Sequence, residues 1–246
     1  MSRYDFNAQR LFVEADLAEG ASVVCTPAQS NYLRNVLRLD GGDPILVFNG
    51  RHGEWRAELV EAGRRDTALA ARAQVRAQED GPDIDYLFAP LKRARLDYMV
   101  EKATEMGVAR LRPILTRRTV AERVNVERMR THAIEAAEQC GILRLPEIHP
   151  LDKLERVVAA WNAQRPLVVC DEDSAEHCPF TALARIPPGP VAVLVGPEGG
   201  FDRVERELLS AQPFVTRISL GPRILRADTA AVAALALVNA VLGDWR

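Results

Sequence analysis

The run Pro190-Val-Ala-Val-Leu-Val195, followed at once by Gly196-Pro197-Glu198-Gly199-Gly200, decides the fold of this chain. An unbroken apolar succession of this length suits a strand buried on both faces, the normal state of a strand in a parallel sheet. Glycine and proline end it, and Asp202 with Glu205 has the capping-box spacing of a helix running to Ala211. Working outward, strand and helix alternate. Asp85–Ala89 reads as a strand, Lys92–Met106 as an amphipathic helix stopped by Gly107, and Arg110–Leu115 as a strand. Val126–Cys140 is helical, with Asn125 as cap and Gly141 as stop; Leu151–Gln164 is a further helix and Leu167–Cys170 a strand. Arg217–Leu220 is a short strand, and Ala227–Leu242 a last, very apolar helix. The alternation predicts an α/β fold with a mostly parallel sheet covered on both faces.

Residues 1–75 have a different rhythm. Arg10–Leu17, Ser22–Cys25, Ile45–Phe48, Glu54–Val60 and Thr67–Val75 are short strands between Gly- and Asp-rich turns. Gly41-Gly42 and Asn49-Gly50 supply the positive-φ positions such turns need. One helix interrupts them, with Thr26 as N-cap, Pro27 at its first position, and Tyr32, Leu33, Val36 and Leu37 in helical period. Short strands with one helix predict a small β-barrel. The polar Gln78-Glu79-Asp80-Gly81-Pro82 reads as a linker, so the expected domains are 1–75 and 76–246.

Composition excludes several classes. The 246 residues are 48% hydrophobic and 27% charged with a formal net charge of −2, which rules out a disordered chain and a uniformly basic nucleic-acid binder. Only Lys92, Lys102 and Lys153 are lysines among the 32 basic residues; the rest are arginine, the side chain suited to forked phosphate contacts. Cys25, Cys140, Cys170 and Cys178 make no disulfide framework, and Cys170, His177 and Cys178 match no common zinc spacing, so no metal is expected. The start, Met-Ser-Arg-Tyr-Asp-Phe, lacks an apolar signal core, and the longest apolar stretch, Ala230–Leu242, is interrupted by Asn239 and too short for a bilayer. The expected location is the cytoplasm, with no membrane association.

Open α/β sheets bind ligands at the carboxyl ends of their strands. Two such ends carry unusual loops, Gly196–Gly200 and Leu220-Gly221-Pro222-Arg223-Ile224-Leu225-Arg226. Glycines permit close backbone approach to a flat ligand, but on spacing alone a tight strand-to-helix turn explains them equally well. Neither the G-x-G-x-x-G dinucleotide fingerprint nor a P-loop is present.

Taken together, Gly196-Pro-Glu-Gly-Gly-Phe201 and Ser219-Leu-Gly-Pro-Arg-Ile-Leu-Arg226, with an apolar helix behind, resemble the SPOUT class of RNA methyltransferases. Within it the chain is most similar to the bacterial 16S rRNA (uracil-N3)-methyltransferase family. Further matches are Tyr32-Leu-Arg-Asn-Val-Leu-Arg38, Lys92 with Glu101-Lys-Ala-Thr-Glu-Met-Gly-Val108, and Ala137-Glu-Gln-Cys-Gly141 with Arg144 and Pro146. The resemblance covers nearly the whole chain in order. It departs at Asn31, where the family often has His, at Ile142, commonly Arg, and at Ala227-Asp228, often Thr-Glu.

The resemblance implies a PUA-like barrel, a SPOUT domain with a deep trefoil knot, which periodicity alone would never suggest, and a homodimer. It implies S-adenosylmethionine held by Gly196, Pro197, Glu198, Gly199 and Gly200 with Leu220, Gly221, Pro222, Ile224 and Leu225, a third wall at Cys170-Asp171, and Leu194 behind. The implied reaction methylates N3 of a uridine near the 3′ end of 16S rRNA, in the decoding region of the assembled small subunit. Uracil N3 is a poor nucleophile while it keeps its proton, so the site must accept that proton or stabilise negative charge on the carbonyl oxygens. Arg226 is the candidate for holding the base and balancing that charge. Asp228 is the candidate proton acceptor, with N-capping of the last helix as its alternative role. The helix Ala227–Leu242 is either a dimer interface element or an ordinary core helix.

RNA contact is expected first from charge. Between Leu91 and Arg118, Lys92, Arg93, Arg95, Lys102, Arg110, Arg112, Arg117 and Arg118 stand against only Asp97, Glu101 and Glu105. Arg34 and Arg38 lie one turn apart on the barrel helix and are expected to face the same way. Arg223 would serve phosphate or pin its loop, and Gln139 and Arg144 join the RNA candidates through the family motifs. The rival readings are another SPOUT methyltransferase with a different target, a catalytically idle RNA-binding assembly factor, and a metabolic α/β enzyme.

Overall fold

A computed structural model describes residues 8–61, 67–174 and 178–245; the first six residues and His177 lie outside them. The chain divides into two compact units, Met1–Asp80 with Ala137–Leu145, and Gly81–Ala136 with Pro146–Arg246.

The first unit is built on five strands, β1 (Arg10–Phe12), β2 (Ser22–Val24), β3 (Pro44–Phe48), β4 (Glu54–Glu61) and β5 (Thr67–Arg76), in the order β1-β3-β4-β5-β2. Only β1 and β3 pair in parallel. Leu11, Val23, Ile45, Val47, Leu59 and Leu69 fill its core, each contributing about 1.5–3 kcal/mol by leaving water. Between β2 and β3 lies α1 (Pro27–Asn31), where Thr26 and Gln29 form the reciprocal capping box. The helix then widens into a π-helical turn over Tyr32–Val36, and Arg38 follows it at a φ of 57°. Arg34 and Arg38 are both exposed, but the π-helical turn and the positive φ at Arg38 break the regular α-helical period from which their shared face is expected. Arg34 Nε instead donates to Thr67 Oγ1 at 2.8 Å. Residues 137–145 are fastened to this unit by long-range bonds: Phe12 N donates to Glu138 Oε1 at 2.8 Å and Arg76 Nη2 to the Gly141 carbonyl at 2.7 Å.

The second unit carries the parallel sheet. Its strands are β6 (Ile84–Phe88), β7 (Arg110–Leu115), β8 (Glu147–Ile148), β9 (Asp152–Lys153), β10 (Leu167–Cys170), β11 (Val191–Val195) and β12 (Val215–Ile218). The order is β12-β10-β11-β6-β7-β8, with β9 also on β7, and every pairing is parallel. Period-two alternation sorts β11 between two cores. Val191, Val193 and Val195 face α2 (Ala94–Glu105), α3 (Val126–Cys140), α5 (Pro179–Leu183) and α7 (Ala227–Val241), while Ala192 and Leu194 face α4 (Leu154–Ala159) and α6 (Arg203–Ser210). The helix expected over Leu151–Gln164 is shorter because Asp152 and Lys153 pair with Ile114 and Leu115, and because Trp161 Nε1 turns back to the Arg165 carbonyl. The strand expected at Arg217–Leu220 lies two residues earlier, which frees Ser219 and Leu220 for a loop. No helix among the described residues is long and apolar enough to cross a membrane.

Candidate active site

Cys170 is in register with Val195 on one side and with Ile218 on the other, so β10, β11 and β12 end flush. The loops leaving these three ends enclose a cavity of about 290 Å³. Its walls come from Cys170–Glu172, Val195–Phe201, Ser219–Gly221 and Arg223–Leu225, with Ala227 and Ala230 at the start of α7.

Local chemistry explains the loop Gly196–Asp202. A Cβ at Gly196 would stand 2.8 Å from the ring of Phe201, itself buried in the lower core, so only glycine lets the strand turn there. Gly200, at a φ of 68°, closes a turn by donating to the Pro197 carbonyl at 2.8 Å. Asp202 and Glu205 complete the capping box that starts α6. The loop is tied down from the end of β7, where Arg118 Nη1 donates to the Gly199 carbonyl at 2.6 Å and Arg117 N to Glu205 Oε1 at 2.7 Å. From α2, Arg95 Nη1 donates to Glu198 Oε1.

The loop Ser219–Arg226 is looser. Gly221, at a φ of 104°, has nothing within 4 Å of where a Cβ would stand, and Ile224 is 95% exposed. Leu225 packs on the core and Arg226 becomes the N-cap of α7, its side chain exposed and without a partner among the described residues. Asp228, in the first turn, accepts from Thr229 N at 2.8 Å and from Arg95 Nε at 3.0 Å. That hydrogen bond from Arg95 holds its carboxyl below the usual carboxylate range.

Burial pushes the Cys170 thiol up to about 12, so it stays protonated and is no nucleophile. Asp171, 3% exposed, is anchored by Arg217 Nη2 at 2.7 Å. With Glu172 and Glu198 it places three carboxylates in the lining, each paired with an arginine: Arg206 reaches Asp171 and Glu172, Arg217 reaches Asp171, and Arg95 reaches Glu198. Such a concave site of backbone, small apolar side chains and a few fixed polar groups suits a small-molecule ligand.

The sequence pattern of the RNA methyltransferase domain matches residues 78–239, and that of the RNA methyltransferase PUA domain residues 26–67. The chain belongs to the RNA methyltransferase family. Among relatives of this family, the ribosomal RNA small subunit methyltransferase E of Synechocystis is 32% identical over 96% of this chain and 78% of its own length. The protein of the same name from Rickettsia conorii is 29% identical over 94% of both chains. A Legionella pneumophila methyltransferase, solved with S-adenosylmethionine bound, superposes with a TM-score of 0.85 over 97% of this chain and 99% of that one, at 25% identity. The small subunit methyltransferase E of Neisseria gonorrhoeae shares the fold, with a TM-score of 0.87, 22% identity, and 98% and 100% of the two chains covered.

In this RNA methyltransferase the residues expected around a cofactor do meet in one cavity, with two exceptions. Leu194 points into the opposite core, a consequence of strand parity, and Val195 lines the site in its place. Pro222 is outside the lining. Glu172, Val195, Phe201, Ser219, Ala227 and Ala230 join the lining without being expected there; the parity of Val191, Val193 and Val195 is the one signal that points to Val195. Asp228 is not the N-cap, since Arg226 holds that position and no side chain caps the helix.

The basic stretch Leu91–Arg118 does not form one face. Arg95 joins Glu198 and Asp228, Lys102 pairs with Glu105 at 2.6 Å, and Arg117 reaches Asp202 at 3.2 Å. Arg110 and Arg112 turn to Asp85 at the other end of the sheet. Lys92 and Arg93 are the exposed cations of that stretch left without a partner among the described residues. In the first unit Gln139 is exposed and Arg144 half-buried.

Proposed function

We propose that the chain transfers a methyl group from S-adenosylmethionine to N3 of a uridine near the 3′ end of 16S rRNA, in the decoding region of the assembled small subunit. The observation that carries this reading is the cavity at the flush ends of β10, β11 and β12, lined by both glycine loops, in a chain of the RNA methyltransferase family. Its glycine-rich walls permit close backbone approach to the cofactor, with Gly196–Gly200, Leu220, Gly221, Ile224 and Leu225 as the residues that would hold it. When bound, the cofactor supplies a methyl already activated on a sulfonium, so alignment and a nucleophile are needed and no metal is invoked.

Arg226, exposed, without a partner among the described residues and flanked by the lining residues Leu225 and Ala227, holds the base and balances the negative charge that grows on its carbonyl oxygens as N3 loses its proton. The carboxylate of Asp228 is engaged by Arg95 and is a weak acceptor, so the proton passes to solvent at the open mouth. The target base must be unpaired or flipped out to reach this site. The reading includes a trefoil knot in the second unit and a homodimer, the latter supported by the half-buried apolar face Val232, Ala233, Ala236, Leu237 and Val241 on α7. It places the enzyme in the cytoplasm.

The test supplies radiolabelled S-adenosylmethionine with small subunits lacking the modification, with naked 16S rRNA, and with large subunits. Label confined to small subunits and recovered as 3-methyluridine is the expected result. Label on ribose or on another base would replace the target, and failure to bind the cofactor by calorimetry would favour an idle RNA-binding factor.

A further inference from the structure

Arg95 occupies a position that the known features of the site do not use. It is the second residue of α2, one-third exposed, and its guanidinium spans two separate segments. Nη1 donates to Glu198 in the middle of the first glycine loop, and Nε donates to Asp228 Oδ2 at 3.0 Å in the first turn of α7. Glu198 lines the cavity from one side, and Asp228 is two residues beyond Arg226 on the other. Its third nitrogen, Nη2, is buried and has no hydrogen-bond partner among the described residues, so the side chain is held in place by these two bonds at the cost of one unmet donor.

We infer that Arg95 is a positioning residue that locks the Gly196–Gly200 loop to the amino-terminal turn of α7, setting the distance between the cofactor wall and Arg226. Asp228 then acts as the counter-ion of Arg95 and has no separate part in proton transfer. The inference rests on the proposed methyl transfer for its kinetic consequence. Methyl transfer is sensitive to sub-ångström misalignment of the reacting atoms, and a loop displaced from α7 moves the methyl donor relative to the base that Arg226 holds. Lysine cannot replace the fork, because one ammonium on a flexible stem does not reproduce two fixed donor directions.

The first measurement needs no substrate. Hydrogen exchange on the purified full chain should show residues 196–202 and 219–229 exchanging faster together in Arg95→Gln, with the rest of the sheet unchanged. Unaltered exchange in either segment would overturn the lock, whatever the enzyme methylates. The second measurement uses assembled small subunits and labelled S-adenosylmethionine. Arg95→Gln should lower kcat by at least tenfold with KM for the subunit within threefold, and Arg95→Lys should recover only part of that loss. Arg95→Gln combined with Asp228→Asn should be no worse than Arg95→Gln alone, because both break the same ion pair. Multiplicative losses would give Asp228 a role of its own, and a rise in KM with a flatter salt dependence at full kcat would return Arg95 to the RNA face.

Discussion

Both ends of the parallel sheet are rich in arginine, and they differ in how much of it stays free. At the amino-terminal end Asp85, 1% exposed, receives Arg110 through Nε, has Arg112 Nε 2.8 Å from Oδ2 though without hydrogen-bond alignment, and has Arg165 at 3.3 Å. Asp83 takes further bonds from Arg110 and Arg165, and Arg112 also lies over the Trp161 ring at 5.7 Å. At the carboxyl-terminal end Arg206 and Arg217 are likewise held by Asp171, and Arg95 by Glu198 and Asp228, but Arg223, Arg226, Lys92 and Arg93 are exposed and unpaired among the described residues. A guanidinium already surrounded by carboxylates has little left to offer a phosphate or a base. The free cations, few in number, are the ones placed to act on a substrate.

The largest effect is expected where that contrast is sharpest. Arg226→Ala should cut methyl transfer by about a hundredfold to a thousandfold, the usual loss when a group stabilising transition-state charge is removed, while cofactor affinity by calorimetry stays within threefold. Equal losses in both would make Arg226 part of the cofactor wall and break the division between the two ends. Asp85→Asn is the matching change at the closed end. Removing the charge leaves three crowded guanidinium groups under-compensated, and a cost of about 2–3 kcal/mol in stability is expected, below the figure for fully buried pairs because the arginines are 15–30% exposed. Urea unfolding would read it, and an unchanged midpoint would mean the cluster is held by packing alone.

Much of this arrangement is legible along the chain. The spans Arg110–Leu115, Val126–Cys140 and Leu167–Cys170 match the pattern reading residue for residue, and the Asp202–Glu205 capping box follows from local spacing because its partners are three residues apart, whereas at Thr26 the reading gives the cap without its partner Gln29. Spacing alone leaves the glycine loops as either tight turns or ligand walls; it is the resemblance carried by both loops together that points to the cavity. What escapes the sequence depends on residues far apart along the chain. No local signal ties Gly141 to Arg76, shortens the helix after Lys153, or says that Arg95 meets Asp228. Charge counting fails for the same reason: an excess of arginine over a short stretch says nothing about carboxylates brought in from elsewhere in the chain.

A smaller effect separates the free cations from the paired ones during RNA binding. Lys92→Ala with Arg93→Ala should weaken binding of the small-subunit RNA by about tenfold and lower the salt slope by about 0.7–0.9 for each phosphate no longer neutralised. Arg110→Ala, at the closed end, should leave that slope unchanged while lowering the unfolding midpoint. A slope altered by Arg110 and not by Lys92 and Arg93 would reverse the assignment of the two ends.

The smallest effect belongs to His149, which donates its backbone N–H to the Leu111 carbonyl beside the closed cluster. Burial first, and then the positive charge of Arg112, hold its imidazole below the ordinary histidine value, with Glu147 and Asp85 pulling the other way and Arg110 adding least. A histidine depressed in this way is neutral in the folded protein and protonates more readily in the unfolded chain. Its contribution to stability is therefore complete above about pH 6.5, the unfolded value, and is lost as the pH falls toward the folded value. Urea midpoints followed from pH 8 to pH 5.5 should fall more steeply for the native chain than for His149→Asn, which has no proton to gain. Parallel curves would show that the His149 imidazole titrates alike in the folded and unfolded chain, so that neither its burial nor Arg112 depresses it.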